Sequence, residues 1–181
     1  MENAMDNAAA IREASDLRHA AAMKYRPQHI KVLLVAECPP PRLSRYFYFE
    51  DVEHHDRLFW SIAKAVTGVV MKDRTDKPIY LEELKRRGVF LIDLKDDPND
   101  RRTWSECVDA LIHRCRELSP EKIIVLKGNV FDATFTRLRD AGLPVINRRV
   151  PFPTGGNELE FASVFAQALK QPPPLPPDLP I

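Results

Sequence analysis

An unbroken apolar run, Val32-Leu33-Leu34-Val35-Ala36, stops abruptly at Glu37-Cys38-Pro39-Pro40-Pro41. Five such residues in a row, without polar alternation, fit a strand buried on both faces, which is the habit of a parallel sheet covered by helices. The prolines forbid any continuation of that strand. Two later runs repeat the pattern, Val89-Phe90-Leu91-Ile92-Asp93-Leu94 and Lys122–Leu126, and a shorter one spans Leu143–Asn147. Segments with helical periodicity separate them: 53–67, a short one opened by Pro78 and stopped at Gly88, one begun by Thr103-Trp104-Ser105-Glu106, one from Gly128 to Gly142, and one after Asn157. Thr103/Glu106 and Asn157/Glu160 both have capping-box spacing. The expected fold is therefore α/β, a three-layer α/β/α sandwich with a central four-stranded, mainly parallel sheet.

That domain spans residues 30–170. Before it, residues 1–29 read as an N-terminal helical extension, rich in Ala, Arg and Leu over 5–24 and closed by Pro27. After it, 171–181 is a proline-rich tail, expected to be extended and disordered outside the core, either a solubilising end or a ligand for a partner's aromatic-lined groove. The opening Met1-Glu2-Asn3 lacks the basic and apolar regions of a signal peptide, and no apolar run approaches membrane-spanning length. Cys38, Cys107 and Cys115 form no Cys-x-x-Cys pair and fit reduced thiols of a cytoplasmic protein with no membrane partner.

In an open parallel sheet, ligands bind beyond the carboxyl ends of the strands. Glu37 and Cys38 follow the first strand there, with Arg42 and Arg45 close behind. Lys95 follows the second, Lys127 the third, and Arg148 and Arg149 the fourth. A formal net charge of +1 gives no global field for a polyanion, so any nucleic-acid backbone would be met by this rim of cations. Solvated loops carry charge in any case, and both readings stand. Glu37, at the end of an apolar strand, is costly unless it is used in chemistry, caps amides of its own loop, or pairs with Arg42 or Arg45. Tyr46-Phe47-Tyr48-Phe49 supplies flat faces for stacking on bases, or core filler. Cys38 is a nucleophile candidate with no base beside it in sequence. Glu53-His54-His55-Asp56 has metal-ligand residue types, but neighbours on a helix face different ways, so no metal is expected. Gly128-Asn129 and Gly155-Gly156-Asn157 precede helices, where amides hold anions or simply turn tightly.

The order of these motifs resembles the uracil-DNA glycosylase superfamily. Ala36-Glu37-Cys38-Pro39-Pro40 is similar to its Gly-Glu-Ala-Pro-Gly loop. Phe47 or Tyr48 takes the place of its stacking aromatic. Val89–Lys95 with Pro98-Asn99 resembles its second motif, Lys127-Gly128-Asn129 its strand-to-helix step, and Phe152-Pro153-Thr154 its closing His-Pro-Ser. The likeness runs over residues 30–170. It implies a DNA partner, base flipping and N-glycosidic hydrolysis of a damaged or modified base, with Glu37 as the catalytic acid. Cys38, Pro39, Phe47, Tyr48, Asp93, Pro153 and Thr154 would hold the substrate, and Arg42, Arg45, Lys95, Lys127, Arg148 and Arg149 the backbone. No cofactor is implied, since three cysteines cannot supply an iron–sulfur cluster with four thiolates. The chain departs from the pattern in three places. Ala36 replaces a glycine, Phe152 replaces the histidine that stabilises the departing base, and Asp93 stands where asparagine reads the base. An ionised Asp93 offers only acceptors and would suit an amino-bearing base such as cytosine or adenine. The alternative is a catalytically inactive member that binds nucleic acid or a nucleotide.

Overall fold

The structure, a computed structural model, describes residues 2–42, 45–53 and 56–174. Three strands pair in parallel in the order β2-β1-β3: β1 (Val32–Ala36), β2 (Val89–Asp93) and β3 (Ile123–Val125). The register sets Leu34 beside Leu91 and Ile124, and Ala36 beside Asp93. Leu33, Leu34, Val35 and all of β3 are fully buried, as their lack of polar alternation requires.

The sheet is thus three-stranded where four strands were expected. The Leu143–Asn147 segment makes one isolated bridge, Val145 to Ile123, and a second, Val150 to Leu126, lies beyond it. Pro144 has no amide hydrogen to give a ladder. The amides of Val145 and Arg148 turn back to the carbonyls of Leu143 and Ile146, two residues away. Such tight local turns leave too few donors for a continuous strand.

Among the described residues six α-helices accompany the sheet: α1 (Glu2–Lys24), α2 (Arg57–Thr67), α3 (Lys77–Arg86), α4 (Trp104–Leu118), α5 (Gly128–Asp140) and α6 (Glu158–Lys170). α2 contacts α3 and α6, α4 contacts α5, and α3 and α5 touch β2 and β3 respectively. α2 starts at Arg57 rather than 53 because Asp56 is its cap, the carboxylate accepting from the Phe59 amide at 3.1 Å. A 3-10 turn at Arg74–Asp76 leads into α3.

Thr103 and Glu106 form the expected reciprocal box at the start of α4, the Thr103 amide donating to Glu106 at 2.6 Å and the Glu106 amide to Thr103 Oγ1 at 3.4 Å. Thr103→Ala is expected to lower stability by about 1 kcal/mol, read as a shift of the urea midpoint with unchanged slope. The box expected at Asn157 is not formed. Asn157 sits at φ −90°, ψ 10°, and its side chain makes no capping hydrogen bond. A residue so near helical geometry does not swing its side chain over the following amides as an extended one does.

Among the described residues no helix is long and apolar enough to cross a membrane. His54, His55 and the tail from Leu175 lie outside the described residues; Gln171 at the end of α6 is extended, with ψ 129°.

Candidate functional site

The three strand ends deliver Glu37, Asp93 and Lys127 to one place. Leu94 and Lys95 donate their amides to the carbonyls of Ala36 and Glu37 at 2.8 and 3.0 Å, so the pairing of β1 and β2 carries on past the strands. Lys127, between β3 and α5, has φ 75° and ψ 119°, a conformation that a residue with a Cβ seldom adopts and that needs support from its surroundings. Its ammonium pairs with the Glu37 carboxylate. The sequence alternatives for Glu37, capping its own loop or pairing with Arg42 or Arg45, are replaced by this contact across ninety residues of chain.

Around these ends lies a cavity of about 520 Å³. Glu37, Cys38, Pro39, Phe47, Asp93 and Thr154 line it, as do Tyr46, Asp56 and Phe152. Two expected members do not. Pro153 is buried behind its neighbours. Tyr48 is core: its ring packs on Phe47 and Phe90, and its hydroxyl donates to the Leu91 carbonyl at 3.0 Å and accepts from the Leu91 amide at 2.6 Å. Of the two stacking candidates, Phe47 is the one that lines the cavity.

The rim of cations is largely spoken for. Lys95 donates to the carbonyls of Asp100 (2.9 Å) and Arg102. Arg148 donates to Gln167 at 2.8 Å. Arg149 forms a two-pronged pair with Asp132 at 3.0 Å and lies over Gly128, where a Cβ would run into its guanidinium group. Arg42 and Arg45 are exposed, and Arg45 lines the cavity mouth. Of the six cations foreseen for the backbone, Lys95, Lys127, Arg148 and Arg149 thus have partners within the chain, and Arg42 and Arg45 are exposed on the loop after β1. Among the described residues no group of His, Cys, Asp or Glu side chains forms a metal-binding cluster.

Asp93 is 8% exposed, and no described hydrogen-bond donor reaches its carboxyl. Burial above all, then the charges of Asp96 and Glu37, push its pKa up to about 7 against the opposing pull of Arg114 and Arg18. A carboxyl whose pKa lies so high is harder to ionise near neutral pH than an exposed aspartate. Burial, then Glu37 and Asp93, push the Cys38 thiol up as well, so it is not poised as a thiolate nucleophile.

Sequence reasoning missed the support of the aromatic loop. Lys77 is fully buried, its ammonium donating to the Tyr46 carbonyl at 3.0 Å and to Asp56 at 3.4 Å, 4.7 Å above the Phe59 ring. Burial lowers its pKa, and Asp56 opposes that. The sequence placed Asp56 inside a helix begun at 53, not at its cap, and a lysine between Asp76 and Pro78 looks like surface. α1 was expected only to pack on the domain. It pins the proline loop through Arg18, which donates to the Pro40 carbonyl at 2.9 Å, and Tyr25 just past its end donates to Glu50 after the aromatic run at 2.8 Å. It also walls a second cavity of about 620 Å³, which shares Pro39, Tyr46, Leu91 and Asp93 with the first.

Comparison with known proteins gives no match to this chain among protein families, curated proteins or solved structures.

Proposed function

We propose that this chain is a divergent uracil-DNA glycosylase-like protein that hydrolyses the N-glycosidic bond of a damaged or modified base in DNA. The observation that carries this reading is that Glu37, Phe47 and Asp93, from three separate segments, line one cavity of about 520 Å³, a size that suits a small-molecule ligand or a flipped nucleotide. The base enters with its face on Phe47 and its edge at Asp93. Glu37, paired with Lys127, orients a water and offsets the positive charge of the sugar as the bond breaks. The water oxygen bonds to the anomeric carbon, its proton passes to Glu37, and the bonding pair leaves with the base. Arg42 and Arg45 meet the DNA backbone. The two groups of helices are read as outer layers of a three-layer sandwich, and the three free cysteines accord with a cytoplasmic protein.

One observation favours the second reading, a catalytically inactive binder of nucleic acid or nucleotides. Phe152 lines the cavity where the resemblance requires a hydrogen-bond donor for the departing base. The protein is to be incubated with single- and double-stranded oligonucleotides carrying modified bases, and abasic sites revealed by alkaline cleavage. Abasic-site formation supports the enzyme. Glu37→Gln is then expected to slow it by about a hundredfold or more with fold and DNA retention intact, and undiminished activity removes Glu37 from its role. Retention that weakens with salt and yields no abasic site supports the binder.

A further inference from the structure

Among the described residues the charged side chains that are buried are Arg18, Lys77 and Asp93. Lys77 has Asp56 against it. Arg18, on α1, is 7% exposed and has no carboxylate in ion-pair contact among the described residues. Its hydrogen bond runs from Nη2 to the Pro40 carbonyl at 2.9 Å, and its Nε is buried without a partner. A guanidinium so placed is costly, because it cannot shed its charge as a buried carboxyl can. Asp93 lies close enough to feel that charge but forms no ion pair with it, and burial makes Asp93 reluctant to ionise. It is a poor counter-ion. Arg18 lines the second cavity, of about 620 Å³, between α1, β2 and α4. On the α4 side the terminal nitrogens of Arg114 donate to Asp96 and the Leu94 carbonyl, and its Nε is also buried without a partner. The carboxylates at the rim do not answer Arg18. Asp96 is taken by Arg114, Glu117 is exposed beside His113, and Asp16 is exposed. Met23, Ile92 and Leu118 give the cavity an apolar wall.

We propose that the second cavity binds an organic anion, whose phosphate or carboxylate head pairs with Arg18 and whose apolar body lies along Met23, Ile92 and Leu118. The oxygens of the head accept from guanidinium nitrogens that the Pro40 carbonyl leaves free, in the planar fork that suits an oxyanion. A bare inorganic ion would supply the charge and leave the apolar wall wet. An amphipathic acid covers both, as ligands of mostly apolar pockets with a few placed polar groups do. Such a ligand is independent of what the first cavity binds.

The test is calorimetric titration of the whole chain with phenyl phosphate, with benzoate and, as an uncharged probe, with benzyl alcohol, at constant ionic strength. One of the anions should bind at least about tenfold more tightly than benzyl alcohol, and which of them binds tighter tells a phosphate head from a carboxylate. Arg18→Met keeps the apolar reach of the side chain without its charge and should weaken the favoured anion by at least about tenfold. Arg139→Gln, on the exposed face of α5 beside Asp140, should leave it unchanged. Arg18→Lys keeps the charge without the fork and should weaken it by about threefold or more. In the wild-type protein the Nε–H resonance of Arg18, identified by its loss in Arg18→Lys, should shift with the same midpoint as the heat. That measurement decides the matter if Arg18→Met does not fold. Either anion binding no more tightly than benzyl alcohol, full affinity in Arg18→Met, or an Arg18 resonance that stays put while heat is released overturns the anion site.

Discussion

Asp93→Asn is expected to stabilise the fold by about 3 kcal/mol at about pH 8 and by less than about 1 kcal/mol at about pH 4. In the unfolded chain Asp93 ionises near about 3.9, and in the folded protein near about 7. Below the lower value both states hold the proton, and the residue is neutral in its effect. As pH rises between the two values, the unfolded chain releases a proton that the folded protein retains, so unfolding is increasingly favoured and stability is lost. Above the upper value the loss is complete. Three units correspond to about 4 kcal/mol at most, reduced by water and side-chain relaxation around the ionised carboxylate. Asparagine has the same shape and no proton to lose. At about 2–4 °C per kcal/mol for a chain of this size, the variant should melt about 6–12 °C higher at the upper pH. Thermal melts of both proteins across the range check this. Curves that run parallel would mean that Asp93 ionises like an exposed carboxyl. The difference between the two proteins isolates this one group from surface carboxylates such as Glu83 and Asp100, whose partners pull their pKa values down to about 2.

Lys77→Met should lower stability by about 3 kcal/mol or more, because it removes one member of a buried charge pair and leaves the other uncompensated. The Tyr46 carbonyl and one oxygen of Asp56 lose their donor, and the ammonium no longer rests on the Phe59 ring. Methionine replaces the volume but none of these contacts. Asp56→Asn in the same chain deletes the stranded charge while keeping a good helix cap, and should recover about 1–2 kcal/mol. Urea unfolding of the two single variants and the double variant measures the coupling. Additive losses would show that Lys77 and Asp56 do not act as a pair. Tyr46, Phe47 and Asp56 share one wall of the cavity, so the damage should concentrate there. Hydrogen exchange of the amides of 45–53 is expected to quicken before that of β1.

What the sequence made legible was local or periodic. The apolar runs of β1, β2 and β3, and the Thr103–Glu106 box, follow from neighbours a few residues apart. Leu143–Asn147 looked like a fourth strand because hydrophobicity does not reveal where Pro144 and the turns around it spend the backbone amides. The location of the cavity was readable from topology, since β1 had to end at Glu37. Its electrostatics were not. Lys127 reaches Glu37 from another strand, Arg149 is neutralised by Asp132 from α5, and Lys77 is drawn inside by a carbonyl thirty-one residues away. The aromatic run Tyr46–Phe49 showed that rings were present but not which would face inward, because that depends on whether a hydroxyl finds a partner in the core. Tyr48 finds one, and Phe47 is left for the cavity.

The partner that Tyr48 finds has a bearing on how the protein behaves in concentrated solution. β2 is an edge strand, with β1 on one side only, and such an edge is a template for a strand from another molecule. Through a single hydroxyl, Tyr48 occupies both the amide and the carbonyl of Leu91 at the middle of that edge. An incoming strand would meet no free pair of groups there and would have to expel a buried ring to make one. Many proteins guard an edge with a lysine, a proline or a bulge; this chain places a phenol from its own site-forming loop across the edge. The loop that shapes the cavity thus also keeps one copy of the sheet from growing into the next.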